Sequence, residues 1–318
     1  MSRPAAKMPA AMAATARKEI SRRELVLLAL GACLLAVVMN WPLVLNLRTE
    51  IPKDLGDPLV QSWEVAWDGF ALSHQPLHFF QANQFWPLHD SLAFSDALVG
   101  YAPAGLVGSG PADTVARYNV LFLFAYALAF AGAYLLGREL GLAPAAATLC
   151  GAAFAFAPLR LEHDGHLHVI SSGGIPLALA LGVRGYRLFR PGWVVAGFCV
   201  AAWQLTLGFT LGLPLAYLLL ALGVITVLWW LRVGRPALPR RLLIATAIGA
   251  MIFAGSAVLT ARPYMRVLDD QPNARRSPER VQNFSGPLKV FLIAPEENAV
   301  WGRATAGLRE GVSNIPEK

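Results

Sequence analysis

Apolar residues gather into seven runs, near 24–46, 115–137, 142–158, 172–189, 192–208, 211–231 and 241–262, each close to the length that a membrane-spanning helix needs. A further apolar stretch, Ala97 to Gly108, is interrupted by Gly100, Pro103 and Gly105 and is too short to cross comfortably. It reads as a helix lying on the membrane surface. Basic residues decide how the runs are threaded. With the N-terminus inside and Ala97–Gly108 not crossing, the inner connections hold Arg138, then Arg184, Arg187 and Arg190, then Arg232, Arg235, Arg240 and Arg241. The outer connections carry fewer cations, among them Arg48, Lys53, Arg117 and Arg160. The pattern predicts an all-α, polytopic membrane bundle of about seven transmembrane helices, with interfacial helices in the first outer loop.

Three segments follow: a cytoplasmic N-terminal tail at 1–23, a transmembrane module at 24–262 whose outer loop covers 47–114, and an extracytoplasmic segment at 263–318. The tail carries Arg3, Lys7, Arg17, Lys18, Arg22 and Arg23, and the run after it lacks a clear cleavage site, so it reads as an uncleaved anchor. In the last segment Arg262, Tyr264, Arg266, Arg275, Arg276 and Arg280 lead into Asn283-Phe284-Ser285, which reads either as a solvated tail or as a basic surface for an anionic lipid or polysaccharide.

Composition agrees with the threading. The chain is 56% hydrophobic and 15% charged, too apolar for an ordinary soluble domain. Its net charge of +7 comes from cations at the ends of apolar runs, which marks topology and argues against a nucleic-acid partner. Cys33, Cys150 and Cys199 lie inside apolar runs, without CxxC spacing, and read as small packing residues. Trp193, Trp229 and Trp230 fall at inner boundaries and read as interfacial anchors.

Candidate chemistry sits in two polar stretches on the same side. In the first outer loop, Leu59, Trp63, Ala66, Trp67 and Phe70 recur at helical spacing, and Gln61, Glu64 and Asp68 take the opposite face. Asp57 before Pro58 matches an N-cap followed by a first-turn proline. A carboxylate there is either a helix cap or a general base for an acceptor hydroxyl. Glu64 and Asp68 follow Asp57 at near-helical multiples, so the three acids form either the solvated side of the helix or a site for magnesium or manganese. Ser95-Asp96 stands where it would cap the surface helix at Ala97.

The second stretch, His163-Asp164-Gly165-His166-Leu167-His168, lacks the spacing of a helical zinc site. With Arg160, its histidines His163, His166 and His168 suit charge-assisted hydrogen bonds to a phosphate headgroup, or else cap a span.

These residues together resemble a family. The N-in first span, the large outer loop opening on an Asp, the interfacial helices and Gly137-Arg138-Glu139-Leu140 at the end of the second span are similar to class C integral-membrane glycosyltransferases. Gly56-Asp57-Pro58, Ala66-Trp67-Asp68, Asn83-x-Phe85-x-Pro87 and Leu161-x-His163-x-Gly165-His166 resemble an uncharacterised bacterial branch of that superfamily. The resemblance implies a bacterial inner-membrane enzyme that moves a sugar from a polyprenyl-phosphate donor to an extracytoplasmic glycan, lipid or protein. Asp57 would be its base, with Glu64, Asp68, Arg160, His163, His166 and His168 at the substrates.

The family's later spans and C-terminal outer domain have no counterpart here, so on this resemblance the chain reads as the shared seven-span module alone, as a truncated product, or as half of a split enzyme whose partner subunit supplies the missing part. Rival readings are a lipid or solute transporter or scramblase, and a non-catalytic subunit of a split glycosyltransferase. Transporters usually place ionisable residues at mid-membrane, and these runs are nearly free of charge there, with Gln204 and Thr206 among the few polar groups.

Overall fold

The computed structural model describes residues 19–234 and 238–271 and, beyond them, 273, 275–283, 285–294, 296, 298–310 and 312. Arg3, Lys7, Arg17 and Lys18 of the tail, Arg235 and Phe284 lie outside the described residues. Helix is the only regular structure among those described. In chain order the α-helices are α1 (Arg22–Met39), α2 (Asp57–His74), α3 (Ala102–Gly105), α4 (Pro111–Glu139), α5 (Pro144–Ala155), α6 (Pro158–Glu162) and α7 (Leu167–Ile170). Then come α8 (Gly174–Arg187), α9 (Pro191–Thr206), α10 (Phe209–Arg232), α11 (Arg240–Asp270), α12 (Pro278–Asn283) and α13 (Ala306–Arg309).

Five helical segments among the described residues are long and apolar enough to cross a membrane: α4, α5 with α6, α7 with α8, α10 and α11. All seven apolar runs are largely helical, but two fall short for stated physical reasons. Helix α1 opens on Arg22, Arg23 and Glu24, and α9 has 16 residues, roughly 24 Å against a hydrocarbon core of about 30 Å. The stretch Ala97–Gly108 is two short turns, Val99–Tyr101 and α3, and not one surface helix. Ala97, Leu98, Tyr101 and Ala102 are buried, and the Trp203 indole of α9 donates to the Gly100 carbonyl at 3.0 Å.

Helix α4 is the spine, touching α1, α2, α5 and α8. Tyr118, Phe122, Tyr126 and Phe130, at four-residue spacing, form its buried stripe, and Tyr126 stacks on Phe156 with ring centroids 5.6 Å apart. In a bilayer such contacts hold by van der Waals fit, because lipid is as apolar as the side chains. The outward faces of α10 and α11 remain apolar and exposed, Leu220, Ile225, Met251 and Leu259 among them, as lipid-facing surfaces are. Cys33, Cys150 and Cys199 are likewise exposed, which corrects their reading as interior packing residues.

The end of α4 explains Gly137-Arg138-Glu139-Leu140. Gly141 takes φ +101°, a conformation that suits glycine, and the amides of Gly141 and Leu142 return to the carbonyls of Arg138 and Gly137, closing a Schellman motif. The stop leaves Arg138 on Glu24 at 2.6 Å and the buried Glu139 between Arg184 and Arg187, each at 2.6 Å. Three arginines counted as topology markers thus also tie α1, α4 and α8 together. The sequence count of cations was blind to their partners.

Helix α2 crosses α3 with backbone on backbone. A Cβ placed on Gly69 would lie 2.2 Å from the Gly105 carbonyl carbon, and one on Gly105 would lie 2.1 Å from the Val65 carbonyl oxygen. Neither obstacle is a flexible side chain. Gly69→Ala is therefore expected to lower thermal stability in detergent by at least the ~1–3 kcal/mol typical of overpacking. Gly31→Ala, inside α1 with nothing within 4 Å of its Cβ, should not lower the melting temperature; equal melting of the two variants would refute the tight crossing.

The chain divides into two compact units, Met1–Tyr264 and Met265–Lys318. Within the second, Arg309 donates to the carbonyls of Ala294 at 2.9 Å and Gly302 at 2.6 Å, and Lys289 donates to the Glu310 carbonyl. Leu288, Phe291 and Trp301 are exposed.

Candidate functional site

Helix α2 carries its polar face inward. Gln61, Ser62, Glu64 and Asp68 are buried, Glu64 at 1% exposure and Asp68 at 0%, while Leu59, Val60, Phe70 and Leu72 are exposed. This overturns the reading of Glu64 and Asp68 as a solvated side. Periodicity grouped the residues onto the right two faces, but the polar face turns into the protein and not to water.

The N-terminus of α2 also differs by one residue from the sequence reading. Gly56 is the N-cap and Asp57 is the first helical residue, followed by Pro58. The amide of Gly56 is held by Asp54 Oδ1 at 2.7 Å, so Asp57 is released from capping. It turns instead to the second polar stretch, where Asp57 Oδ2 lies 2.9 Å from His166 Nε2. The Asp57 side chain is 59% exposed and that of His166 40%, so the pair stands at the surface. His166 Nδ1 is buried without a hydrogen-bond partner among the described residues. A lone pair tolerates that position better than an N–H, which places the ring proton on Nε2, donated to Asp57.

Several further contacts dock the two stretches. Lys53 Nζ donates to the Glu162 carbonyl at 3.3 Å, and Gln61 reaches Leu167 and His168. Asn119 of α4 donates to the carbonyls of Leu47 and Glu50, at 2.9 and 2.6 Å, and so fixes the start of the outer loop. The rings of His163, His166 and His168 follow one another at centroid spacings of 5.6 and 5.8 Å. An open depression lined by Thr49, Glu50, Lys53, Asp54, Leu55 and Leu59 adjoins the start of α2.

Behind this surface lie Glu64 and Asp68. Ser95 Oγ donates to Glu64 Oε1. Glu64 Oε2 and both Asp68 oxygens have no hydrogen-bond partner among the described residues. Burial, with smaller contributions from Asp96 and Asp57, pushes the Glu64 carboxyl up to about 8 despite the Ser95 hydrogen bond. Burial and the nearby Glu64 raise Asp68 well above the usual carboxylate range. Burial thus favours the neutral acid at both, and Glu64 keeps its proton at neutral pH, which is what lets two carboxyls occupy the interior face.

Ser95 and Asp96 do not cap a surface helix. Asp96 accepts the amides of Phe209 at 2.7 Å and Thr210 at 3.3 Å, and thereby caps α10 from a distant loop. Tyr264 of α11 donates to the Ser95 carbonyl and accepts from the Ala97 amide, which closes the same corner.

Arg160 is placed differently from its expected position beside the histidines. It is buried, with Nη1 on Ser172 Oγ, Nε on the Ala155 carbonyl at 2.8 Å, and its guanidinium 5.2 Å from the Tyr126 ring centre. Tyr126 in turn donates to Asp164, a carboxyl that burial raises. Arg160 and Asp164 thus brace the loop from within.

Asp57, Glu64 and Asp68 do share one face of α2, but they do not converge. No group of three His, Cys, Asp or Glu residues is arranged to hold a metal ion among the described residues. Gln61 was missed as a site residue: an amide carries no sequence signal of its own, and its partners lie more than 100 positions away. No family model, no curated protein and no solved structure matches the chain.

Proposed function

We propose that the chain is a glycosyltransferase of the bacterial inner membrane, with a polyprenyl-phosphate sugar as donor and an extracytoplasmic glycan, lipid or protein as acceptor. In this reading α1 and α9 join the five longer apolar segments as spans, the N-terminus is cytoplasmic, and α2 rests at the outer interface with its aromatic face toward lipid. The observation that carries the reading is the contact of Asp57, at the start of α2, with His166, 2.9 Å away on a segment more than 100 residues later in sequence.

One hydrogen bond engages Asp57 Oδ2, leaving Oδ1 to take the proton of an acceptor hydroxyl. The hydroxyl oxygen then bonds to the anomeric carbon as the bond from that carbon to the lipid phosphate breaks, with inversion. The lipid phosphate leaves with the electron pair and is a good leaving group, so positioning and one base suffice. His168 supplies an N–H donor for a phosphate oxygen, while the N–H groups of His166 and His163 are engaged by Asp57 and by the Leu159 carbonyl and hold the loop in place. Arg160 acts behind them, holding the loop.

A transporter or scramblase is favoured by one observation, the buried Glu64–Asp68 pair, three of whose four oxygens have no hydrogen-bond partner among the described residues, since buried carboxyls of membrane proteins often carry protons in transport. The two readings separate in one preparation. Purified protein in nanodiscs, given radiolabelled polyprenyl-phosphate sugars and a membrane extract as acceptor, should release labelled product. Absence of transfer, together with lipid or solute movement in proteoliposomes, would replace the enzyme with the transporter.

A further inference from the structure

The orientation of the His168 ring is set from outside the histidine cluster. Gln61, buried on α2, makes two contacts with the histidine loop: Oε1 accepts the Leu167 backbone N–H at 2.6 Å, and Nε2 lies 2.8 Å from His168 Nδ1. The first contact fixes the second. A backbone N–H only donates, so the amide atom facing Leu167 is the oxygen, and the atom facing His168 is the –NH₂ group, which only donates. A donor aimed at Nδ1 requires a lone pair there, so the proton of the neutral ring is on Nε2. On the same helix, Asp57 places the His166 proton on Nε2 by the opposite polarity, a carboxylate accepting directly from that atom. Two neighbouring rings, 5.8 Å apart, thereby hold the same tautomer through two different devices on one helix.

We propose that Gln61 is a positioning residue: it selects the Nε2–H tautomer of His168 and pins the histidine loop to α2, so that His168 keeps a hydrogen-bond donor for an anionic phosphate. Tautomer selection is independent of the enzymatic reading; the benefit to transfer rests on it. Gln61 touches no reacting atom. Its effect passes through the ring and through the Leu167 amide.

The test uses the full chain in nanodiscs and imidazole ¹H–¹⁵N spectra, with His168→Gln to assign the His168 signals. In the wild type the His168 proton is expected on Nε2. In Gln61→Glu the carboxylate still accepts the Leu167 N–H but offers Nδ1 no donor, so the proton is expected to move to Nδ1. Gln61→Met should yield a mixture of tautomers. A wild-type proton on Nδ1, or a Gln61→Glu spectrum identical to the wild type, would overturn the proposal, and the wild-type spectrum decides alone if the variants do not fold. In the same samples transfer should fall about tenfold in Gln61→Glu, the loss of one well-made hydrogen bond. A displaced proton with undiminished transfer would overturn the role in transfer. A displaced proton with no transfer even in the wild type would leave Gln61 as the selector and remove the glycosyltransferase reading.

Discussion

Asp57→Asn is expected to lower sugar transfer by about 10²–10⁴-fold, the usual contribution of a single general base, while the protein stays folded. The separation of the two effects follows from the geometry. Asn keeps an oxygen that accepts the His166 Nε2–H, so the contact between the two loops survives, and the cap of α2 belongs to Gly56 and Asp54. What disappears is the basic oxygen. Melting temperature and yield should match the wild type, and transfer retained in Asp57→Asn would remove this residue from the mechanism. His166→Asn should have a smaller effect, because it removes the partner and leaves the base.

The second large effect is thermodynamic. Glu64 holds a proton in the fold up to about pH 8 and gives it up near its ordinary value of 4.5 once burial is lost. Between those values the folded chain binds more protons than the unfolded one, so stability is greatest below pH 4.5 and falls as pH rises through the window toward 8. The full span is on the order of 5 kcal/mol. Asp68, raised by the same burial, acts in the same direction.

Glu64→Gln imitates the protonated acid: its oxygen still accepts from Ser95, and its –NH₂ takes the place of the protonated oxygen. Thermal unfolding in detergent between pH 5 and 9 should show the wild type losing stability with rising pH and Glu64→Gln losing much less. Parallel curves would mean that Glu64 is not the proton-holding group.

Much of the fold was legible in the sequence, because seven apolar runs fix seven helical stretches whatever surrounds them. Boundaries moved by only a few residues where Pro111, Pro144 and Pro191 start helices and Gly141 stops one. The side of α2 that faces inward was not legible. Periodicity tells which residues share a face, and in a soluble protein the apolar face turns in; beside a membrane the apolar face can turn out to lipid and the polar face into the protein. One signal was present: the polar face carries Gln61, Glu64 and Asp68 without a single Lys or Arg, which is unusual for a solvated helix.

Long-range partners escaped for a different reason. Asp96 capping α10, and Gln61 holding Leu167, are set by how distant segments pack, and nothing local marks them. Arg160 was placed with the histidines because it is near them in sequence. The turn into α6 carries it inside, against Tyr126 and Ser172.

The shared surface of Asp57 and His166 is tested most directly by chemistry across the gap. In a variant with Cys33, Cys150 and Cys199 replaced by Ala, cysteines at 57 and 166 would be treated in right-side-out vesicles with a short, membrane-impermeant bis-maleimide. An internal cross-link formed from outside is the expected result, with a control pair at 57 and 187 unlinked. A 57–166 pair that stays unlinked, or that links only when the reagent is sealed inside, would contradict the shared outer site.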